Sequence, residues 1–360
     1  MKLKLKKNWG MGKKLNKVYL YNLTNPKIFS LSGDSKFISF LLSKVRIGTD
    51  IIKLEKEIRV KFPSVTKRLI LETVKSLDKI GALEKNGGKF ACDLSPKYLL
   101  GLDRQIEFFK EVFPRDNPYE FQKNIKNTRV AILGLGTIAQ HIIPPLITSG
   151  INNFKCVDFD VVDERNLGRQ FLFKKEDIGK LKTDVISDYI KQAKPGIKVE
   201  SVNEELTNTT QITKIIKDCN IIVHCCDHPR FKIHRMINRA CLMHKKPNIV
   251  CTPGRLGPFS IPFETACYEC LEKLLVKKFP AYDSIIKKLE KDKDVRFPGL
   301  AIVVSITGIL AAKEIVAHIL NFKCETYNGV LRIDPRDLKI TRHEVPKQLN
   351  CPVCKIKSSA

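Results

Sequence analysis

A chain of 360 residues with 43% hydrophobic and 28% charged positions has the composition of a globular protein, with length for about two or three domains. Its net charge of +26 suggests a polyanionic or phosphate-bearing partner. The basic residues are mostly lysines spread over 2–14, 174–182 and 277–293 without interleaved aromatics, so a nucleic-acid partner is not expected. The N-terminus is basic but has no apolar signal core, and the most apolar stretch, 300–312, reads as a buried helix too short to span a bilayer. No membrane association is expected, and twelve cysteines without a signal imply reduced thiols and a cytoplasmic location.

Residues 18–22 and 27–31 read as two short strands around the turn Thr24-Asn25-Pro26. Three helical patterns follow: 34–45; one capped by Thr49 and running to 61; and one from about 64 that carries Leu69, Ile70, Val74, Leu77 and Ile80 and stops at Gly81. Residues 82–84 and 89–91 flank Asn86-Gly87-Gly88, a second hairpin or wing. Residues 1–95 thus predict a small winged-helix-like α+β domain, and 96–127 a helical connector. From 128 onward strand and helix alternate. Strands at 129–133, 154–157, 198–202, 220–224 and 248–251, with helices at 138–148, 176–193, 211–218 and 230–243, predict an α/β domain (128–360) with a Rossmann-like, mostly parallel sheet flanked by helices.

Chemistry gathers at two places. The first strand of the sheet ends in Gly134-Leu135-Gly136 and opens into a helix, which would set backbone N–H groups and a helix N-terminus against a phosphate. Asp158 ends the next strand, where a carboxylate can accept ribose hydroxyls. The same turn serves equally well as a tight connection with no ligand. Thr137 and Ala139 stand where further glycines are common. The second place is the pair of Cys-x-x-Cys motifs, Cys267/Cys270 and Cys351/Cys354, whose spacing predicts a structural Zn²⁺ site with four thiolates and no open position. His224, His228 and His244 are not at ligand spacing, and Cys225, Cys226 and Cys324 read as small non-catalytic residues, the last within a strand.

The run from Asp158-Phe-Asp160 through Asn166-Leu-Gly-Arg169-Gln170 to Gly179-Lys-Leu-Lys182, followed by Cys225-Cys226-Asp227-His228 and the cysteine pairs, resembles the ThiF/MoeB/MccB superfamily, relatives of the ubiquitin-activating enzymes. The resemblance covers about 100–354. It implies a Mg²⁺-dependent adenylyl or nucleotidyl transferase acting from ATP or another NTP. Asp158 would hold the ribose, with Asp160, Gly134 and Gly136 in the nucleotide-binding set. Asn166, Arg169 and Lys182 would contact the phosphates, and Asp227 would position Mg²⁺ near the α-phosphate. Arg104 matches the arginine that one subunit of a homodimer lends to the other's triphosphate. Gln170 reads as scaffold. Catalysis would rest on Arg104, Arg169, Lys182 and Asp227, by charge neutralisation and in-line positioning.

The domain in front of this region is similar to the peptide clamp of the branch that matures microcin C. That similarity implies a short ribosomal precursor peptide as partner and a peptide–nucleotide conjugate as a conceivable product. An exposed hairpin edge would take up the peptide by strand addition, with side chains entering a groove beside the third helix. Alternatives are a sulfur-carrier or ubiquitin-like protein activator, a non-catalytic leader-binding partner of a cyclodehydratase, and a DNA-binding regulator.

Overall fold

Eight strands build the central sheet of the protein, a computed structural model that describes residues 2–24, 26–84, 92–113, 116–292 and 299–354. The chain divides into two units, Met1–Glu120 and Phe121–Ala360. The first contains β1 (Lys2–Leu3), β2 (Trp9–Lys14), β3 (Lys17–Asn22), β4 (Lys27–Leu31), α1 (Ser35–Ile47), β5 (Thr49–Asp50), α2 (Ile51–Lys61), α3 (Lys67–Lys79), α4 (Pro96–Leu99) and α5 (Asp103–Val112). α6 (Pro118–Asn127) crosses the division.

In the first unit β2, β3 and β4 form an antiparallel sheet in that order, so β4 lies at its edge. The apolar stripes of α1, α2 and α3 close over it, burying Trp9, Leu20, Phe37, Leu41, Leu54, Ile58 and Leu77. Each helix starts where a side chain satisfies an otherwise orphaned N–H: Asp34 accepts from Lys36, Asp50 from Ile52 and Thr66 from Leu69. The second cap is therefore Asp50, one residue past the expected Thr49, which instead pairs with Leu3 across β1 and β5. Gly81, at φ +77°, ends the α3 turn. Leu83 bridges to Leu5. The expected turn Asn86-Gly87-Gly88 lies outside the described residues.

The second unit continues with β6 (Arg129–Leu133), α7 (Thr137–Ser149), β7 (Asn153–Val157), α8 (Lys182–Ala193), β8 (Lys198–Val202), α9 (Thr209–Ile216), β9 (Ile221–His224), α10 (Lys232–Met243), β10 (Asn248–Thr252) and β11 (Arg255–Ser260). Then come α11 (Tyr268–Lys278), α12 (Tyr282–Lys291), α13 (Ala301–Ile319), β12 (Gly329–Ile333) and β13 (Ile340–Glu344). The strand order is β13-β12-β11-β10-β9-β6-β7-β8, parallel from β10 to β8 and antiparallel from β10 to β13. The fold class is thus α/β with a mostly parallel sheet. The helix expected over 176–193 is split, with a 3₁₀ turn at Lys175–Asp177 before α8. Cys324 is buried in the turn after α13, ahead of β12 rather than within a strand.

α13 runs seven residues beyond the apolar stretch seen in the sequence, and by length and composition its 19 residues could cross a membrane. Half of that window is buried within the fold. A Cβ at Gly308 would lie 2.6 Å from the His141 Cβ and 2.7 Å from the Ile138 carbonyl, so α13 packs backbone-close on α7. The apolarity belongs to that contact.

Beneath the sheet ends, His224 and His234 share a hydrogen bond of 2.8 Å between Nε2 and Nδ1, both rings buried. Burial, with Arg255 and Arg235 nearby, pushes His234 down to about 3. Burial and then His234 push His224 well down. The unfolded chain binds protons at both rings below about pH 6.5, and the folded chain does not. The neutral pair therefore contributes full stability above about pH 6.5 and loses it as pH falls toward about 3. The His234 ring costs about 1.4 kcal/mol per pH unit in that window, and His224 acts in the same direction. Denaturant unfolding between pH 7 and pH 5 should show a steep loss in the wild type. His234→Gln should lower stability at pH 7 yet lose less of it on acidification, and an equal loss would assign the acid sensitivity elsewhere.

Candidate functional site

The strand order places a crevice before any side chain is considered. The chain builds β6, β7 and β8 outward in one direction, then returns to lay β9 against the other flank of β6. The loops leaving β6 and β9 diverge there, and such switch points at the C-terminal strand ends are where open α/β sheets bind ligands. Gly134, Asp158 and Asp227 all follow these strand ends.

Gly134 has φ +88°, and a Cβ there would fall 2.8 Å from the Cys226 nitrogen and 2.9 Å from the Cys225 carbonyl carbon and oxygen. Only glycine lets the β6 loop pass this close to the β9 loop. The Gly134 N–H donates to Val157 O at 2.8 Å, and the Cys225 N–H to Leu133 O at 2.8 Å, so the three loops are stitched together. A Cβ at Gly136 would meet nothing within 4 Å. Its contribution is open space in front of α7, whose N-cap is Gly136 and whose first N–H groups receive no side-chain cap.

Asp158 is half-buried and faces this loop. Its Oδ2 accepts from the Leu135 N–H at 2.6 Å and its Oδ1 from the Asp160 N–H at 2.9 Å. Burial raises its pKa, while the Lys182 charge and the two N–H donors pull it back down. Lys182, first residue of α8, is buried, and its ammonium lies 2.7 Å from Asp160 Oδ2. Asp160 is half-exposed, so this buried cation has its only described carboxylate partner at the crevice surface.

Asp227 is exposed just beyond β9 and makes no hydrogen bond or ion pair among the described residues. The Cys226 thiol is raised first by burial, then by Cys225 and by the charges of Asp158 and Asp227, which sets both carboxylates around one thiol. A free carboxylate in such a crevice suits a hard cation that retains water and phosphate ligands. Cys225 and Cys226 are held too high by burial to act as thiolates.

Asn166 and Arg169 stand on the loop between Asp160 and Lys182. Asn166 is buried in a 3₁₀ turn, its Oδ1 accepting from the Asp163 N–H at 3.1 Å. Arg169 is exposed, and its Nη1 donates to Arg165 O at 2.7 Å. A Val161–Leu181 bridge ties the two ends of this loop together. Its far side is held by Gln140 of α7, whose Oε1 accepts from the Leu172 N–H at 2.8 Å. Gln140 is a supporting residue that the sequence reading missed, since a glutamine in an apolar helix gives no motif signal. Gln170 is buried, as expected of scaffold. Arg104 lies on α5 of the first unit, nearly fully exposed and 3.8 Å from Asp103.

Cys267, Cys270, Cys351 and Cys354 come together, all fully buried, with every sulfur within 4.8 Å of the others. Individual separations are 3.9, 3.7 and 3.4 Å. A tetrahedral ion with metal–sulfur bonds of about 2.3 Å requires sulfurs about 3.8 Å apart, so the set fits Zn²⁺. The Cys267 and Cys354 thiols and the Gln348 N–H, 3.4 Å from Sγ, pull Cys270 strongly toward thiolate.

The first unit holds a groove of about 820 Å³ between β4 and α3. Phe29, Leu31, Leu69 and Ile80 supply apolar lining, and Ser30 and Thr73 hydroxyls. It runs beside the outer edge of β4, which has no strand partner among the described residues.

Comparison with known proteins agrees with this layout. The ThiF family model matches residues 102–353. The chain is 22% identical to the molybdopterin-synthase adenylyltransferase of Escherichia coli over 267 residues, 73% of this chain and 99% of that protein. It is 25% identical to the sulfur carrier protein ThiS adenylyltransferase of the same organism, over 69% of this chain and 94% of that one. Among solved structures, E. coli MccB superposes with a TM-score of 0.76 at 21% identity, covering 99% of this chain and 98% of that one. The same E. coli protein has been determined with ATP and with N-formylated MccA.

Proposed function

The chain belongs to the ThiF family, and from that premise we propose that it transfers the adenylyl group of ATP to a carboxylate of a short ribosomally made peptide in the cytoplasm. The observation that carries this reading is the pairing, in one chain, of a switch-point crevice at the sheet's strand ends with a strand-edge groove, in a fold that matches MccB over nearly its full length. ATP is favoured among nucleotides because the matched E. coli MccB has been determined with it.

In this reading a peptide carboxylate oxygen attacks the α-phosphorus, the α–β phosphoanhydride bond breaks, and pyrophosphate leaves with the electron pair. Two anions must approach, so the residues act mainly by holding charge and geometry. Asp158 accepts ribose hydroxyls with its remaining lone pairs, and Leu135 and Asp160 fix its orientation. Lys182 exchanges its Asp160 contact for phosphate oxygens, joined by Arg169 and Asn166. Asp227 holds Mg²⁺, which would screen the charge of the departing pyrophosphate. Arg104 reaches the triphosphate of a second copy in a homodimer. Zn²⁺ at the four cysteines holds structure only.

Activation of a sulfur-carrier protein is the second reading, since one relative at similar identity is named a sulfur carrier protein adenylyltransferase. Pyrophosphate release from ATP separates the two. A short ribosomal precursor peptide should stimulate release, and a carrier protein with a flexible Gly-Gly tail should not. Stimulation by the carrier alone would transfer the assignment to sulfur-carrier activation, and release with neither would remove the enzymatic reading.

A further inference from the structure

The groove between β4 and α3 carries one acidic side chain, Glu72, and its charge is already met: Arg68 Nε lies 2.8 Å from Glu72 Oε1. The two lysines of the same lining, Lys27 at the start of β4 and Lys79 in the last turn of α3, have no ion pair among the described residues. The groove therefore presents uncompensated positive charge around an apolar floor.

The surroundings reinforce that field. Residues 1–84 contain 19 Lys and Arg against 7 Asp and Glu. Six of those seven acids are engaged locally. Asp34 and Asp50 cap helices, Glu55 meets Arg59 and Lys67, Glu57 meets Lys44, Glu72 meets Arg68, and Glu84 meets Lys4. Lys79 also offsets the terminal carbonyls of α3, and a lysine on an edge strand discourages pairing with further copies of itself. Both effects act in the same direction on a guest strand, penalising a basic one and favouring an acidic one.

We propose that the peptide segment seated in this groove is acidic, with apolar side chains directed at Phe29, Leu31 and Leu69 and, on the same face of the guest strand, carboxylates directed at Lys27 and Lys79. The proposal rests on the groove being the peptide site of the function proposed above. A peptide fits better than nucleic acid because the floor between the two lysines is apolar, built from Phe29, Leu31, Leu69 and Ile80.

The test is selection of a random twelve-residue peptide library by mRNA display against the full-length protein, with the double variant Lys27→Glu/Lys79→Glu in parallel. The wild type should enrich peptides that combine Asp or Glu with apolar residues on one strand face, two positions apart. Replacing the acids of a selected peptide by Gln or Asn should weaken binding about three- to tenfold, and the charge-reversed variant should not enrich acidic peptides. Enrichment of neutral or basic peptides, or unchanged acidic enrichment by the variant, overturns the charge inference while leaving the groove as a peptide site. No enrichment by the wild type overturns the peptide site itself. Retardation of random duplex DNA by the wild type, lost in the same variant, would assign the positive groove to nucleic acid instead.

Discussion

Asp227→Ala should reduce peptide-dependent pyrophosphate release by about 10³-fold, the scale of losing a metal that neutralises phosphoryl charge. Asp227 is exposed and unpaired at the switch point of the sheet, so its removal breaks no described contact. Surface changes of that kind shift stability by about 0.5 kcal/mol or less, so the thermal midpoint should not move. Asp227→Asn keeps the shape and removes the charge, and should be nearly as inactive. Raising Mg²⁺ should recover part of the rate in neither variant beyond a few-fold. Lys182→Ala provides a contrast, because it leaves Asp160 without its partner and empties a buried position, so both rate and stability should fall. Release within about threefold of wild type in Asp227→Ala would remove this residue from the reaction.

The five parallel strands and the crevice they define were readable because their signals are local. β6, β9 and β10 are short apolar runs followed by a turn, β8 mixes polar residues with valines, and the Asp158–Lys182 segment carries its chemistry in linear order. The antiparallel part was not readable. β11 contains Gly257-Pro258, which reads as a turn, and β13 is Ile-Thr-Arg-His-Glu, polar because it lies at the sheet edge and mostly exposed. β2 contains two glycines and two lysines, so neither apolar run nor alternation marks it. The histidine pair escaped for another reason. His224 and His234 come from a strand end and a helix, and only the packing of α10 under β9 joins them. The role of Gly134 was visible as a motif, but the constraint behind it, the Cys225–Cys226 backbone, comes from a strand about ninety residues away. The paired state of Glu72, which leaves both groove lysines uncompensated, likewise needs the structure.

Purified protein should contain one zinc per chain, and Cys351→Ser/Cys354→Ser should lower the thermal midpoint by about 10 °C or more. The two cysteine pairs are 84 residues apart in sequence and converge within 4.8 Å. Between them the chain forms α12, α13, β12 and β13, so one ion would close that entire excursion onto α11. The sulfurs sit in an apolar cluster with Leu242, Val250, Tyr268, Leu271, Val330 and Val345. Without an ion, four buried thiols have only weak S–H donors to offer one another, and any thiolate among them is a buried charge. With an ion, the dication offsets half the charge of four thiolates, bonds all of them, and fixes the segment ending at Cys354 beside the sheet. The site has no open position, so its removal should act on stability before chemistry. At 15 °C the residual folded fraction of the double variant should retain its affinity for ATP. An unchanged midpoint in the double variant, or wild-type protein free of zinc after purification without chelators, would leave the four cysteines as core packing alone. Loss of ATP affinity in folded variant protein would instead couple the cysteine cluster directly to the crevice.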